Sequence, residues 1–233
     1  MGEFFFKYRG QIPVFILILA FPTLFFTNHI QNLSLNFNVN ILSILLLLVG
    51  CIFRYMTIGF SYPNTSGRNR NNQIAERLNK YSSYSITRNP LYLSNMLIWT
   101  GIIIRSNNLL YVLICLVTMI SLYTIIINHE EIFLKNKFKS EFISWKKITP
   151  RLIPNFFIYK KSNIKFNYKS LLRREYAGIL AILICTAYID TLHIYISSSS
   201  LVISKNLLFL IITMIIISLI LKYLRKNTTI LDD

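Results

Sequence analysis

Residues 85–92 read Ser-Ile-Thr-Arg-Asn-Pro-Leu-Tyr, and a long apolar run follows them. That run ends at His129-Glu130-Glu131, and a second short motif, Pro-Arg-Leu-Ile-Pro, occupies residues 150–154. Ionisable side chains are costly at the ends of such apolar segments unless they serve a site. This stretch therefore indicates polar chemistry at a membrane surface.

The composition sets the protein class. Hydrophobic residues make up 54% of the 233 residues and charged residues only 15%, which is too apolar for an ordinary soluble domain. We expect an all-α integral membrane protein. No two of the seven glycines lie within six residues of each other, so the sequence offers neither a GxGxxG turn nor a P-loop. The three cysteines all fall in apolar runs without paired spacing, and we predict buried thiols and no metal site.

The apolar runs predict about six transmembrane helices, since a bilayer core requires roughly 20 apolar residues per helix. The third run is short and is interrupted by polar residues at 105–108, so we expect runs three and four to form a tilted hairpin. The predicted spans are residues 11–27, 41–60, 91–104, 108–127, 175–196 and 201–221.

Lysine and arginine predict the orientation, because cytoplasmic loops retain them. They are concentrated at both termini, in residues 61–90 and in residues 128–174, whereas residues 28–40 and 197–200 contain none. Both termini are therefore predicted to be cytoplasmic. The formal charge of +16 then lies mainly on one face, where it would meet anionic lipid headgroups, and this explanation is favoured over nucleic-acid binding.

A candidate site follows from this arrangement. Pro90 is expected to begin a helix, and Glu130 and Glu131 come just after span four. If spans three and four are antiparallel, Arg88 and Tyr92 meet the two carboxylates at the cytoplasmic face. Such a set suits S-adenosylmethionine. An arginine can bind its carboxylate, carboxylates can bind its ammonium and ribose groups, and an aromatic ring can stack on its adenine.

At these residues the chain resembles the isoprenylcysteine carboxyl methyltransferase and phospholipid methyltransferase family of integral membrane enzymes. The family pattern is Arg-His-Pro-x-Tyr, an apolar hairpin, a Glu-Glu pair and a closing Pro-Arg-x-x-Pro. The matching residues, within a resemblance that spans roughly residues 50–154, are Arg88, Pro90, Tyr92, Glu130, Glu131, Pro150, Arg151 and Pro154.

The resemblance implies an S-adenosylmethionine pocket at the cytoplasmic face, open laterally to a lipophilic acceptor in the bilayer. It implies a bacterial branch of the family and hence a bacterial cytoplasmic membrane. It makes Arg88, Glu131 and Arg151 the predicted catalytic residues. The predicted cofactor-binding residues are Arg88, Asn89, Pro90, Tyr92, Glu130 and Glu131. Residues 1–174 would form the methyltransferase core, and residues 175–233 a C-terminal helix pair of unknown role.

Departures from the family pattern leave alternatives open. Asn89 stands at the usual histidine position, Ser94 at a usual glycine, and Phe142 and Trp145 at common tyrosines. Asparagine retains hydrogen bonding but cannot titrate. An NADPH-dependent reductase of the sterol type and a catalytically silent scaffold are the alternatives. The sequence also leaves three acceptor groups possible, namely a prenyl-cysteine carboxylate, an ethanolamine amine and a lipid phosphate. An ammonium acceptor would need Glu131 or Glu130 as a base.

Overall fold

A computed structural model describes residues 2–28, 30, 34–35, 38–62, 65, 73 and 75–231, apart from the side chains of Ile12 and Pro13. Within these residues the regular structure is helical, and the one β contact is an isolated bridge between Ser34 and Asn108. The predicted all-α class is confirmed.

The described residues form eight α-helices and two short 3-10 turns. The turns are Ile104–Ser106 and Phe156–Ile158. The helices are α1 Gly2–Tyr8, α2 Ile12–Thr27, α3 Val39–Gly59, α4 Ser83–Ile86, α5 Pro90–Ile103, α6 Leu109–Ile148, α7 Tyr168–Ser198 and α8 Lys205–Asn227.

Four of these helices, α3, α6, α7 and α8, are long and apolar enough to cross a membrane among the residues that the structure describes. Their outward side chains are apolar and exposed, as for Val117 (64%) and Phe209 (69%), which suits contact with lipid. The chain is therefore an integral membrane protein. Helices α2 and α5 are shorter, with 16 and 14 residues, so the count of six spans stays a prediction.

The predicted break between spans three and four is confirmed. Helix α5 begins at Pro90, whose ring is tolerated in a first helical turn, and it ends at Ile103. The 3-10 turn that follows closes at Asn107, which adopts a left-handed conformation with φ 52°. The side chain of Asn108 then accepts a hydrogen bond of 3.0 Å from the Tyr111 amide and caps the start of α6.

Helix α6 is longer than the predicted span of residues 108–127. It extends over 40 residues, with a local kink at Lys139 (φ 43°). Glu130 and Glu131 therefore lie within a continuing helix, which fixes the direction in which each side chain leaves the backbone.

The chain divides into two compact units. The first comprises residues 1–12, 49–97 and 117–167, and the second comprises residues 13–48, 98–116 and 168–233. In the first unit, Leu78, Phe142 and Trp145 form a buried apolar cluster. The boundary predicted at residue 174, between a methyltransferase core and a C-terminal helix pair, concerns function and not these two units, and it stays a prediction.

Two close contacts hold the first unit together near the end of α3. The amide of Asn167 donates to the Gly59 carbonyl over 2.9 Å. A side chain at Gly59 would place its Cβ 2.1 Å from the Phe166 ring, so any larger residue there would displace the ring.

The second unit contains an ion pair that the sequence analysis missed. Arg105 binds both carboxylate oxygens of Asp190 on α7, each over 2.5 Å. Elsewhere in this unit, the Tyr111 hydroxyl donates to the Ile16 carbonyl and the Ser43 hydroxyl to the Gly101 carbonyl. The bidentate geometry of Arg105 and Asp190 joins the turn before α6 to the C-terminal helix pair.

Candidate active site

A cavity of about 290 Å³ lies within the first unit. Its lining includes five of the residues that the sequence predicted, namely Arg88, Asn89, Pro90, Tyr92 and Glu130. The other two predicted residues, Glu131 and Arg151, are not among the described residues that line the cavity. They contact residues that do, because Glu131 pairs with Arg88 and the Arg151 carbonyl accepts from Asn89. The structure thus brings the whole predicted set together in two layers.

The segment before α5 is held by the segment after α6. The Arg88 amide donates to the Pro150 carbonyl over 2.9 Å, and the Thr87 hydroxyl bonds to the carbonyls of Arg151 and Leu152. Thr87 is fully buried. These bonds explain how two motifs some sixty residues apart in sequence come to lie side by side.

Arg88 is bound by a carboxylate and by backbone carbonyls. Its Nη2 lies 3.0 Å from Glu131 Oε1 and its Nε 3.1 Å from the same oxygen. Its Nη1 donates to the carbonyls of Lys146 and Thr149 over 3.2 and 2.6 Å. The other Glu131 oxygen accepts from Lys146 Nζ over 2.9 Å. Glu131 therefore neutralises and orients Arg88 instead of facing the cavity.

Tyr92 and Glu130 form the polar part of the cavity wall. The Tyr92 hydroxyl donates to Glu130 Oε1 over 2.8 Å, and the Tyr92 ring is buried with its centroid 5.2 Å from that of Tyr123. Glu130 is the one carboxylate among the described lining residues. A half-buried carboxylate that accepts from the Tyr92 hydroxyl is suited to binding a cationic group or a hydroxyl donor of a ligand.

Asn89 and Arg151 are linked through the backbone. Asn89 Nδ2 donates to the Arg151 carbonyl over 2.9 Å. The Arg151 guanidinium turns the other way, with Nη2 2.5 Å from Asn128 Oδ1 and Nε 3.9 Å from Glu131 Oε1. The Arg151 Nε is buried without a hydrogen-bond partner among the described residues. This geometry makes Asn89 both a lining residue and an anchor for residues 150–154.

The segment between α3 and α4 completes part of the wall. Thr65, Gln73, Leu78 and Asn79 line the cavity, and Asn79 Nδ2 donates to Thr65 Oγ1 over 2.9 Å. Gln73 Nε2 is buried and has no hydrogen-bond partner among the described residues. Arg68 and Arg70, which contribute to the lysine and arginine content of residues 61–90, lie outside the described residues.

Three lining arginines, Arg9, Arg54 and Arg77, were not predicted as site residues by the sequence analysis. Arg54 lies on α3, where its Nη1 donates to Asn95 Oδ1 over 2.8 Å. Its position inside an apolar span was a usable signal, because an ionisable residue there usually serves a site. Arg9, which the sequence analysis used only as a topology charge, lines the cavity together with Phe6. No local pattern marks that long-range contact.

Comparison with known families bears directly on this geometry. Residues 38–141, a little under half of the chain, match the phospholipid methyltransferase family. The matched range contains Arg88, Asn89, Tyr92, Glu130 and Glu131, and the closing motif at residues 150–154 lies beyond it. Comparisons with curated proteins and with solved structures found no significant match. Over these residues the match confirms the resemblance predicted from the sequence, and the matched family is one of membrane methyltransferases.

Proposed function

We propose that this protein transfers a methyl group from S-adenosylmethionine to a lipophilic acceptor at the membrane surface. The observation that carries the proposal is the convergence of Arg88, Asn89, Tyr92 and Glu130 on one cavity. All four lie within the residues that match the family. A cavity of about 290 Å³ is near the lower end of the range typical for small-molecule sites, about 300–1,000 Å³.

The lining residues fit the groups of this cofactor. Glu130 would accept hydrogen bonds from an ammonium or a ribose hydroxyl, and the rings of Trp145 and Tyr84 offer stacking surfaces for an adenine. The buried amide nitrogen of Gln73 has no protein partner among the described residues, and a ligand acceptor atom would satisfy it. The cavity wall thus contains one hydrogen-bond donor, Gln73 Nε2, that no described protein atom satisfies.

Bound S-adenosylmethionine supplies an electrophilic methyl group on a sulfonium. The protein's contribution is to position the two reactants and exclude water, since a displacement in line gains most from orientation. Tyr92, Tyr123 and Glu130 would stabilise nearby positive charge. Arg88, held by Glu131, would present a fixed hydrogen-bond donor to the acceptor side. An anionic acceptor needs no base, whereas an ammonium acceptor would lose its proton to Glu130.

A lipophilic acceptor is supported by the surroundings of the cavity. Leu91, Phe133 and Leu134 supply apolar lining, and the helices that could span a membrane present apolar surfaces. We place the cavity at the cytoplasmic face because of the predicted distribution of lysine and arginine. Anionic headgroups would then surround its entrance, and an acyl or prenyl tail would remain in the bilayer.

Calorimetric titration of the protein in neutral detergent with S-adenosylhomocysteine and with NADPH tests this function. We expect S-adenosylhomocysteine to bind and NADPH to give no heat. Glu130→Gln should weaken S-adenosylhomocysteine at least about tenfold, because truncating a desolvated charged contact typically costs about 2–5 kcal/mol. The matched control is Glu141→Gln, since Glu141 is an exposed carboxylate on the same helix that pairs with Lys80.

Each contrary result has a defined meaning. Binding of NADPH in place of S-adenosylhomocysteine would assign the chain to the reductase class, and binding of neither would favour the scaffold. Equal affinity in the Glu130→Gln and Glu141→Gln variants would remove Glu130 from the cofactor site.

A further inference from the structure

A second cavity in the first unit shares one wall residue with the candidate active site. Its volume is about 520 Å³, and it is lined by Arg88 and by residues 146–150 and 153–157. We call it the 146–157 groove. Arg88 lines both cavities, and its charge is already paired with Glu131 at 3.0 Å. The rest of the groove lining takes no part in the proposed cofactor site.

Part of the groove wall is apolar and exposed. Ile153, Phe156 and Phe157 are 81%, 67% and 101% exposed. This exposure belongs to an ordered turn, since the Asn155 side chain accepts from the Phe157 amide over 3.1 Å and caps the 3-10 turn. Contiguous apolar side chains of this kind, with polar residues around them, mark contacts with a membrane or another protein.

Hydrogen bonds place the groove at the level where the apolar parts of two helices end. Arg151 Nη2 lies 2.5 Å from Asn128 Oδ1, and Asn128 directly follows the uncharged part of α6. The Asn155 amide donates to the Ile86 carbonyl over 2.9 Å, shortly before α5 begins. Because the apolar stretch of a membrane-spanning helix ends near the lipid headgroups, the groove lies at the membrane surface.

The same part of the chain is strongly basic. No aspartate or glutamate occurs between Glu141 and Glu175, and that stretch carries nine lysines and arginines. Lys147 lines the groove, is exposed and forms no ion pair with a described residue. Lys160 and Lys161, which follow the exposed turn, are also exposed and form no ion pair with a described residue. Unpaired lysines beside apolar side chains complement a phosphate that carries acyl chains.

We propose that the 146–157 groove binds the headgroup of an anionic phospholipid from the surrounding membrane. Lys147 pairs with the lipid phosphate, while Phe156 and Phe157 lie among the glycerol and upper acyl carbons. The bound lipid then sits next to Arg88, at the edge of the candidate active site. This site is additional to the methyl-transfer proposal and does not depend on it, because it requires only that the chain lies in a membrane. An acidic protein segment would also match the lysines, but headgroups already occupy the level of the groove.

Binding of short-chain lipids tests the charge of the site. Dihexanoyl phosphatidylglycerol, dihexanoyl phosphatidylcholine and glycerol phosphate are each titrated by calorimetry into the detergent-solubilised protein and into protein-free micelles. The test variant is Lys147→Gln. The matched control is Lys135→Gln, which removes an exposed lysine of the same helix that lines neither cavity and forms no ion pair with a described residue.

We expect Lys147→Gln to bind phosphatidylglycerol about fivefold more weakly than Lys135→Gln does, since a lysine near anionic lipid contributes about 1 kcal/mol. Phosphatidylcholine lacks the net charge and glycerol phosphate lacks the acyl chains, so both should bind the wild type more weakly than phosphatidylglycerol. Equal affinities of the two variants for phosphatidylglycerol would overturn the proposal, as would failure of the wild type to bind it. Phosphatidylcholine or glycerol phosphate that binds as tightly as phosphatidylglycerol would also overturn it.

Tryptophan fluorescence of Phe157→Trp in vesicles tests the position of the exposed turn. Phe157 is fully exposed, so this substitution should leave the packing intact. The emission gained over the wild type should be quenched by phospholipids brominated on their upper acyl carbons and protected from aqueous iodide. Quenching by iodide alone would show that the turn faces water or a soluble partner, and would overturn the proposal. Failure of the proposed function is a separate result, because it appears as absence of S-adenosylhomocysteine binding in the wild type, and both lipid measurements can be made in either case.

Discussion

Glu131→Gln should destabilise the first unit strongly although the substitution is nearly isosteric. The side chains of Glu131 and Arg88 are 11% and 8% exposed, so the variant leaves the Arg88 charge buried without its counterion. Removing one partner of a buried pair typically costs about 3–5 kcal/mol. Lys146 is 50% exposed, and loss of such a pair costs about 1 kcal/mol or less.

Thermal unfolding in neutral detergent, followed by circular dichroism, measures this difference. For a chain of this size about 1 kcal/mol corresponds to a shift of roughly 2–4 °C, so Glu131→Gln should lower Tm by roughly 6–20 °C. Lys146→Gln should lower it by about 4 °C or less. Combining Arg88→Met with Glu131→Gln should cost less than the sum of the single variants, because the two groups share one interaction.

Two results would refute this reasoning. The first is an additive effect of Arg88→Met and Glu131→Gln within about 0.5 kcal/mol, which would mean that the ion pair contributes nothing of its own. The second is an equal loss of stability in Lys146→Gln and Glu131→Gln, which would mean that burial does not decide the cost.

Three further predictions concern other parts of the chain. Asp190→Asn should lower the free energy of unfolding by about 2–3 kcal/mol through loss of a charged bidentate contact with Arg105, and an unchanged Tm would show that the pair is dispensable. Asn89→His should add a limb near about pH 6–7 to the activity profile that the wild type lacks at this position, whereas an identical profile would make position 89 peripheral. In a chain without native cysteines, a cysteine at Ser162 should be shielded from an impermeant thiol reagent in intact cells and one at Ser198 should react; the reverse would overturn the predicted orientation.

Local sequence signals predicted the parts of the fold that depend on single residues. Pro90 marked the start of α5, because proline is favoured in a first helical turn and disfavoured within a helix. The polar residues at 105–108 marked the end of the same apolar run, and the structure places a 3-10 turn there. The full length of α6 was not predicted, since residues 128–148 are rich in charge and hydropathy alone ends the span at residue 127.

Contacts between distant residues explain what the sequence analysis missed at the site. Phe6 and Arg9 reach the cavity only because the N-terminal helix packs near His129, and no periodicity at residues 2–9 encodes that contact. The sequence likewise placed Glu130 and Glu131 together as cofactor ligands. The structure separates their surroundings, because successive residues on a helix point in different directions. That both carboxylates bind cofactor stays a prediction, and Glu131 is engaged by Arg88 and Lys146.

The length of the acceptor tail tests the lipophilic part of the proposal. A buried methylene contributes about 0.8 kcal/mol, so shortening the tail by about four carbons should raise KM roughly a hundredfold. Kinetics that do not depend on tail length would show that the acceptor site does not use the bilayer.

Transfer of a labelled methyl group tests the central claim most directly. The protein, reconstituted into vesicles of its host lipids, is incubated with S-adenosylmethionine that carries a radiolabelled methyl group, and the organic and aqueous phases are counted separately. With S-adenosylmethionine below the saturating concentration, Glu130→Gln should transfer less label than the wild type, and Glu141→Gln should behave as the wild type. We expect the label to enter the organic phase in a lipid heavier by one methylene. If the wild type puts no more label into the organic phase than Glu130→Gln does, the protein is not a membrane methyltransferase that uses this cavity.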